Sequence, residues 1–323
     1  MIYVITHGDL DGLASATILY DTLVKSEGVK IALRIAQPFT LHEVLKEMEL
    51  RSVEELYILD IGVDSATWHR VRESLKEVPR AALKLWIDHH RASLSKLKEL
   101  CELNISLIYT VSGCTSTIMR EAFLERTSDP EFYAKIALIG EVGDKVKELG
   151  EGDPLFPIIR KLGAALSFEP SDEAFKVNLI KMWVKERRLL NEEVERRAEE
   201  ASKKFRELSS IAPSKVIFEG GNFLILDFRD VEARGFVGKV ASDLANRTGK
   251  AVFILFTSSP YETVITARLP KGSEWDVAKL LGSIAFKVGG SGGGHAKAAS
   301  IRFPSFRWKE VIEGIKGALS NVG

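Results

Sequence analysis

The chain has 323 residues and no net formal charge, with 45 Lys plus Arg against 45 Asp plus Glu. That length exceeds one ordinary hydrophobic core and fits two domains, and the charge balance argues against a strong binder of long duplexes while leaving room for a local basic groove. Two cysteines, Cys101 and Cys114, make no disulfide framework, and no apolar run is long enough to span a bilayer, so a soluble cytoplasmic protein without membrane contact is expected.

In chain order, short apolar runs alternate with helical periodicity, a pattern that predicts an α/β fold with a largely parallel sheet covered on both faces. The first strand, residues 2–5, ends in Thr6-His7-Gly8-Asp9-Leu10-Asp11-Gly12 and leads into a helix over 13–24. In open sheets of this kind ligands gather at the carboxyl ends of the strands. An Asp there also caps a helix, which by itself accounts for Asp9 or Asp11. The strand over 31–36 precedes Gln37, the only glutamine in a chain rich in Lys, Arg and Glu, a bias associated with heat-adapted proteins. A helix follows over 41–48.

The strand over 56–59 delivers Asp60, and the strand over 83–87 runs into Asp88-His89-His90. After a strand over 105–109, Ser112-Gly113 starts a helix over 115–123. The helix over 131–143 ends at Asp144, with glycine expected to turn the backbone there. Its carboxylate opposes the helix dipole, so a compensating cation is expected. Cys114 lies close to these residues but reads as a small buried hydrophobe. His42 and His69 sit in helical stretches and receive no role.

Residues 181–208 are intensely charged and contain neither Gly nor Pro, which predicts one solvated connecting helix. The expected division is therefore 1–180, a connecting helix over 181–212, and a second α/β domain over 213–323. Strands are expected over 216–218, 223–226, 251–256, 263–268 and 300–303, with a glycine cluster over 289–294. Such a cluster can point several backbone N–H groups into one anion-binding nest, or simply form a flexible loop.

Each carboxylate has an ordinary explanation when taken singly. Four segments bringing Asp and His to one sheet edge, however, concentrate charge that needs a metal or large pKa shifts. Carboxylates mixed with imidazoles and no thiolate point to Mn²⁺ or Mg²⁺, with Mn²⁺ favoured by the histidines.

These residues resemble the DHH phosphoesterase superfamily, whose four N-terminal motifs are matched by His7-Gly8-Asp9-Leu10-Asp11, Asp60, Asp88-His89-His90 and Asp144. In the C-terminal half, Gly289-Gly290-Ser291-Gly292-Gly293-Gly294-His295-Ala296 is similar to the glycine–histidine signature of the DHHA1 subgroup. Arg268 stands where that domain keeps a phosphate-binding arginine. The resemblance implies one ion on His7, Asp9 and Asp60, and a second on Asp11, Asp60, His89 and Asp144. Asp60 would bridge them, with water or hydroxide between the ions as the nucleophile. It further implies that Asp88 orients a histidine, that His90 faces the scissile phosphate, and that Arg268, Gly292, Gly293, Gly294 and His295 hold a neighbouring phosphate or nucleotide end.

The implied activity is metal-dependent hydrolysis of phosphodiesters, from the 3′ end of single-stranded DNA or RNA. The chain looks most like the short archaeal RecJ-like exonucleases, including those that partner the Hef helicase/nuclease, and a homo-oligomer is expected. Two alternatives stay open: a nanoRNase that also acts on 3′-phosphoadenosine 5′-phosphate, and a scaffold that binds nucleic acid without cutting it.

Overall fold

The computed structural model describes residues 1–24 and 30–319, which form two compact units, Met1–Ala198 and Glu199–Gly323. The first unit is built on five strands, β1 (Ile2–Thr6), β2 (Ile31–Ile35), β3 (Glu55–Leu59), β4 (Leu83–Asp88) and β5 (Ser106–Tyr109). All are parallel, in the order β2-β1-β3-β4-β5. Its helices are α1 (Leu10–Leu23), α2 (Leu41–Lys46), α3 (Trp68–Leu75), α4 (Arg91–Leu94), α5 (Leu97–Glu102), α6 (Thr115–Phe123), α7 (Pro130–Gly143), α8 (Leu155–Phe168), α9 (Glu173–Glu186) and the first part of α10 (Glu192–Ile211).

Every residue of β1 is buried, as a parallel strand covered on both faces must be. The two-residue period sends Ile2 and Val4 into a core with Leu13, Ile136 and Trp183, and Tyr3 and Ile5 into another with Leu45, Val71 and Trp86. From β1 the chain steps to one side for β2 and to the other for β3. The strand order therefore reverses between β1 and β3, the position at which an open α/β sheet forms its ligand crevice.

Two expectations about the first unit are corrected. Residues 181–212 are not one connecting helix: α9 continues to Glu186 with Trp183 and Met182 buried, and α10 begins afresh at Glu192. Arg187 breaks the run in a left-handed conformation, φ 53°. Its guanidinium bonds the hydroxyls of Tyr133 and Ser128 and the carbonyl of Val184, and pairs with Asp21 at 3.1 Å. A residue that looks solvated on charge alone is thus the anchor that stops the helix. Gly143 does not turn the backbone either, because the left-handed residue is Lys145. The glycines of α7 instead admit close packing: a Cβ on Gly143 would lie 2.7 Å from Leu10 Cβ, and one on Gly140 would lie 2.0 Å from Ser116 Oγ.

The second unit holds β6 (Val216–Glu219), β7 (Phe223–Asp227), α11 (Val237–Thr248), β8 (Ala251–Ser259), β9 (Glu262–Arg268), α12 (Val277–Lys287), β10 (Ser291–His295), β11 (Ala298–Pro304) and α13 (Trp308–Leu319). Its mixed sheet runs β10-β11-β9-β8-β7-β6, with β7 and β8 parallel and the other pairs antiparallel. Phe253, Ile265 and Ile301 pack beneath Leu281, Val311 and Ile315 of α12 and α13.

The glycine cluster is also corrected, from a nest to an edge strand. A nest needs successive N–H groups on one side, whereas in β10 they alternate, so only every second residue faces the free edge. Glycine is required there by the approach of β11. At Gly292 and Gly294, with φ 149° and 146°, a Cβ would sit 2.3 Å from the carbonyl oxygens of Ser300 and Ala298 respectively.

Candidate metal centre

The loop after β1 is closed by the Thr6 hydroxyl and a backbone bond from His7. Thr6 Oγ1 donates to Gly12 O at 2.6 Å, and His7 N donates to Leu59 O at 3.1 Å. Asp9 caps α1 by accepting from Gly12 N at 3.0 Å, so the ordinary cap and the site use one residue. His7 Nδ1 lies 2.9 Å from Asp9 Oδ2 and 3.7 Å from Asp60 Oδ2.

Asp60 follows β3 in a left-handed conformation, φ 57°, a region that Asp tolerates better than most side chains. Its N–H continues the ladder to Ile87 O at 2.9 Å while its carboxylate enters the crevice. Asp11 is held by the start of α6: Thr115 N donates to Oδ2 at 2.9 Å and Ser116 N to Oδ1 at 2.7 Å. These are N–H groups that a helix start leaves without intrahelical acceptors.

Beyond β4, His89 Nε2 approaches Asp60 Oδ1 at 3.3 Å and Asp11 Oδ2 at 4.0 Å, and its Nδ1 lies 3.7 Å from Asp144 Oδ2. His90 Nδ1 pairs with the fully buried Asp88 at 2.7 Å, with its ring 4.2 Å from that of His89. Ligand atoms within 4.8 Å of one another therefore form three overlapping groups: His7, Asp9 and Asp60; Asp11, His89 and Asp144; and Asp60, Asp88, His89 and His90.

The electrostatics are those of carboxylates crowded together. Burial, reinforced by Asp11 and Asp9, pushes the Asp60 carboxyl well above its usual range. Burial likewise lifts Asp144 to about 6, against the opposing pull of His89. For Asp9 the burial penalty is outweighed by His7, which holds its carboxyl low. Burial would depress His7, but Asp9 and Asp60 raise it, and the Asp88 bond does the same for His90.

Divalent cations fit this donor set. His89 Nε2 is buried with no hydrogen-bond partner, facing two carboxylates that repel each other. One positive ion answers both deficits, and the O/N donors without thiolate suit Mn²⁺ or Mg²⁺.

The remaining expected residues lie in the second unit. Arg268 and His295 both align with Ala298 in the sheet register, so they share one row two strands apart. The Arg268 guanidinium donates to Ala267 O at 2.8 Å, and burial lowers its pKa. Gly292, Gly293 and Gly294 occupy the adjoining edge strand.

Sequence reasoning missed Gln37, Thr115, Ser116 and Glu141. Gln37 Oε1 lies 2.9 Å from His7 Nε2. Glu141 is buried between Arg120 at 3.0 Å and Lys147 at 2.7 Å, bracing the turn that carries Asp144. Only Gln37 left a signal, its uniqueness in the composition.

Residues 1–140 match the DHH family, N-terminal domain, and residues 220–321 match the DHHA1 domain. No curated protein sequence matches the chain. Among solved structures it is similar to a DHH domain described as belonging to a family of ribosomal proteins, with 17% identity and a TM-score of 0.70 over 98% of this chain and 86% of that one. A pGpG-specific phosphodiesterase from Vibrio cholerae gives 13% and 0.61, covering 100% of both chains. RecJ in complex with Mn²⁺ from Thermus thermophilus gives 18% and 0.58, covering 99% of this chain and 52% of that one. At such identities the likeness is one of fold. The two domain matches, in this order, make the chain a member of the DHH/DHHA1 phosphoesterase superfamily.

Proposed function

We propose that the protein is a metal-dependent phosphodiesterase that removes nucleotides from the 3′ end of single-stranded DNA or RNA. In this reading His7, Asp9 and Asp60 hold one divalent cation, and Asp11, Asp60, His89 and Asp144 hold the other. The observation that carries it is the division of a single carboxylate: Asp60 turns Oδ2 toward His7 at 3.7 Å and Oδ1 toward His89 at 3.3 Å. A bridging ligand needs that arrangement, and a cap or turn does not.

When bound, a pair of divalent cations activates water and offsets charge on the attacking and leaving oxygens of an in-line displacement. The protein's own groups do the rest. Asp88 accepts from His90 Nδ1, which leaves Nε2 as the nitrogen that takes up the second proton; the same bond raises the imidazole's proton affinity, and in its protonated form His90 would donate from Nε2 to the leaving oxygen. Arg268 and His295, in one row beside the β10 edge, would bind a phosphate of the strand. Mn²⁺ is preferred over Mg²⁺ because imidazoles are among the ligands. Among subtypes we favour the short archaeal RecJ-like exonucleases associated with Hef, with a homo-oligomeric, cytoplasmic protein as part of that reading.

A second reading, hydrolysis of very short substrates, is supported by the full-length correspondence to the pGpG-specific phosphodiesterase. One preparation with Mn²⁺ separates the two: rates are compared on a labelled single strand of about twenty nucleotides, on a dinucleotide, and on 3′-phosphoadenosine 5′-phosphate. Stepwise release of mononucleotides from the long strand, lost in a folded Asp60→Ala variant, is the expected result. Faster turnover of the small substrates would favour the second reading. Strand binding that persists in chelator, with no turnover in any divalent metal, would make the protein a scaffold.

A further inference from the structure

Gln37 stands where β2 leaves the sheet beside β1. Ala36 N donates to Thr6 O at 2.9 Å, one step past the Thr6–Ile35 pair, which brings Ala36 level with His7 and leaves Gln37 one residue beyond it. The first turn of α2 locks its backbone: Gln37 N donates to Thr40 Oγ1 at 2.9 Å, and Gln37 O accepts from Thr40 N and Leu41 N at 3.0 Å each. The side-chain oxygen then reaches His7 Nε2 at 2.9 Å.

The imidazole of His7 is thus held between an amide on one nitrogen and two carboxylates on the other. Because Asp9 and Asp60 as ionised, metal-ligating carboxylates offer only acceptor oxygens, Nδ1 between them must then carry either a proton or a cation. A neutral imidazole giving its Nδ1 lone pair to a cation must keep its proton on Nε2, and an acceptor at Nε2 fixes it there. The amide orientation follows from the same reasoning. Turned the other way, Gln37 would donate to Nε2 and force the proton onto Nδ1.

We propose that Gln37 is a positioning residue of the metal centre, holding His7 as the Nε2–H tautomer with Nδ1 presented to the cation between Asp9 and Asp60. This rests on the two-metal reading given above. It explains the local geometry more fully than a structural bond does, since the strand end, the first turn of α2 and the amide oxygen all converge on one ring nitrogen. It also predicts a chemical order. A carboxylate acceptor makes a ligating imidazole more basic, a neutral amide less so, and an alkyl group leaves the tautomer unselected.

The test is calorimetric titration of Mn²⁺ into the full chain for wild type, Gln37→Leu and Gln37→Glu, with circular dichroism to verify folding. Two binding events are expected for wild type; none at all would overturn the metal reading itself, separately from the role of Gln37. In Gln37→Leu one event should weaken by about 10–100-fold while the other is unchanged, and Gln37→Glu should bind at least as tightly as wild type. Unaltered binding in Gln37→Leu, or Gln37→Glu no better than Gln37→Leu, would overturn the proposal. Should the leucine variant fail to fold, long-range ¹H–¹⁵N spectra of the Mg²⁺-loaded wild type decide: a proton on His7 Nε2 supports the assignment and its absence overturns it.

Discussion

Thr115 and Asp60 are joined by a 3.1 Å hydrogen bond from the threonine hydroxyl to the carboxylate oxygen that also faces His89. The same residue gives its backbone N–H to Asp11, so the first residue of α6 orients two carboxylates from two other elements. Replacement by valine removes the hydroxyl donor and keeps the backbone contact. Thr115→Val is expected to lower Mn²⁺ affinity by about tenfold, the lower end of what loss of an outer hydrogen-bond partner costs, and Thr115→Ser to restore it. Calorimetric titration of both variants checks this; valine binding as tightly as threonine would refute it.

The raised carboxyls make the metal-free protein sensitive to pH in a defined direction. Asp144 is held at about 6 against an ordinary 3.8, so it binds protons more tightly folded than unfolded. That stability is fully present below about 4 and is lost as pH rises toward and through 6, and the raised Asp60 acts with the same sign. In chelator, Asp144→Asn should therefore be more stable than wild type above pH 6, with the difference vanishing as pH falls to about 4. Thermal melts across this window provide the measurement. Saturating Mn²⁺ should reverse the order above pH 6, because the charged carboxylate then has a partner.

The carboxyl ends of the strands were legible because parallel strands buried on both faces read as unbroken apolar runs. A His or Asp at the end of one, such as His7 or Asp60, therefore marks the edge of the sheet. What the sequence withheld depends on contacts distant along the chain. Arg187 reads as a solvated charge until Tyr133, Ser128 and Asp21 surround it. Gly292 and Gly294 read as a nest or a loop until β11 is seen against them. Thr115 and Ser116 look like any helix start until Asp11, more than a hundred residues earlier, occupies their N–H groups.

Close packing of α7 is a further point of vulnerability. An alanine at Gly140 would put its Cβ 2.0 Å from Ser116 Oγ and 3.1 Å from Ala14 Cβ. Relief requires α6 or α1 to shift, and both carry groups that set Asp11. Gly140→Ala is expected to destabilise the fold by about 1–3 kcal/mol, the usual range for overpacking, and to weaken Mn²⁺ binding. Urea denaturation with a parallel metal titration reads both effects. A variant with unchanged stability and affinity would mean that α7 adapts without disturbing the start of α6.

Arg268 presents the reverse case, a group whose removal should strengthen the fold while weakening function. Burial disfavours its charge, and its pKa is lowered with no carboxylate contributing. A half-buried guanidinium in that condition is costly until an anion arrives. Gly238 makes room for it, since a Cβ there would lie 2.6 Å from Nη2. Arg268→Met should keep or raise the melting temperature while raising KM for a labelled single strand by at least about tenfold, with kcat less affected, as expected for a contact made equally in ground and transition states. Gly238→Ala should reproduce the KM effect by displacing the guanidinium. Arg268→Lys should not rescue it, because an ammonium cannot replace the planar fork. A marked fall in melting temperature for Arg268→Met would show that the guanidinium serves the fold rather than a bound phosphate, and the assignment would have to be abandoned.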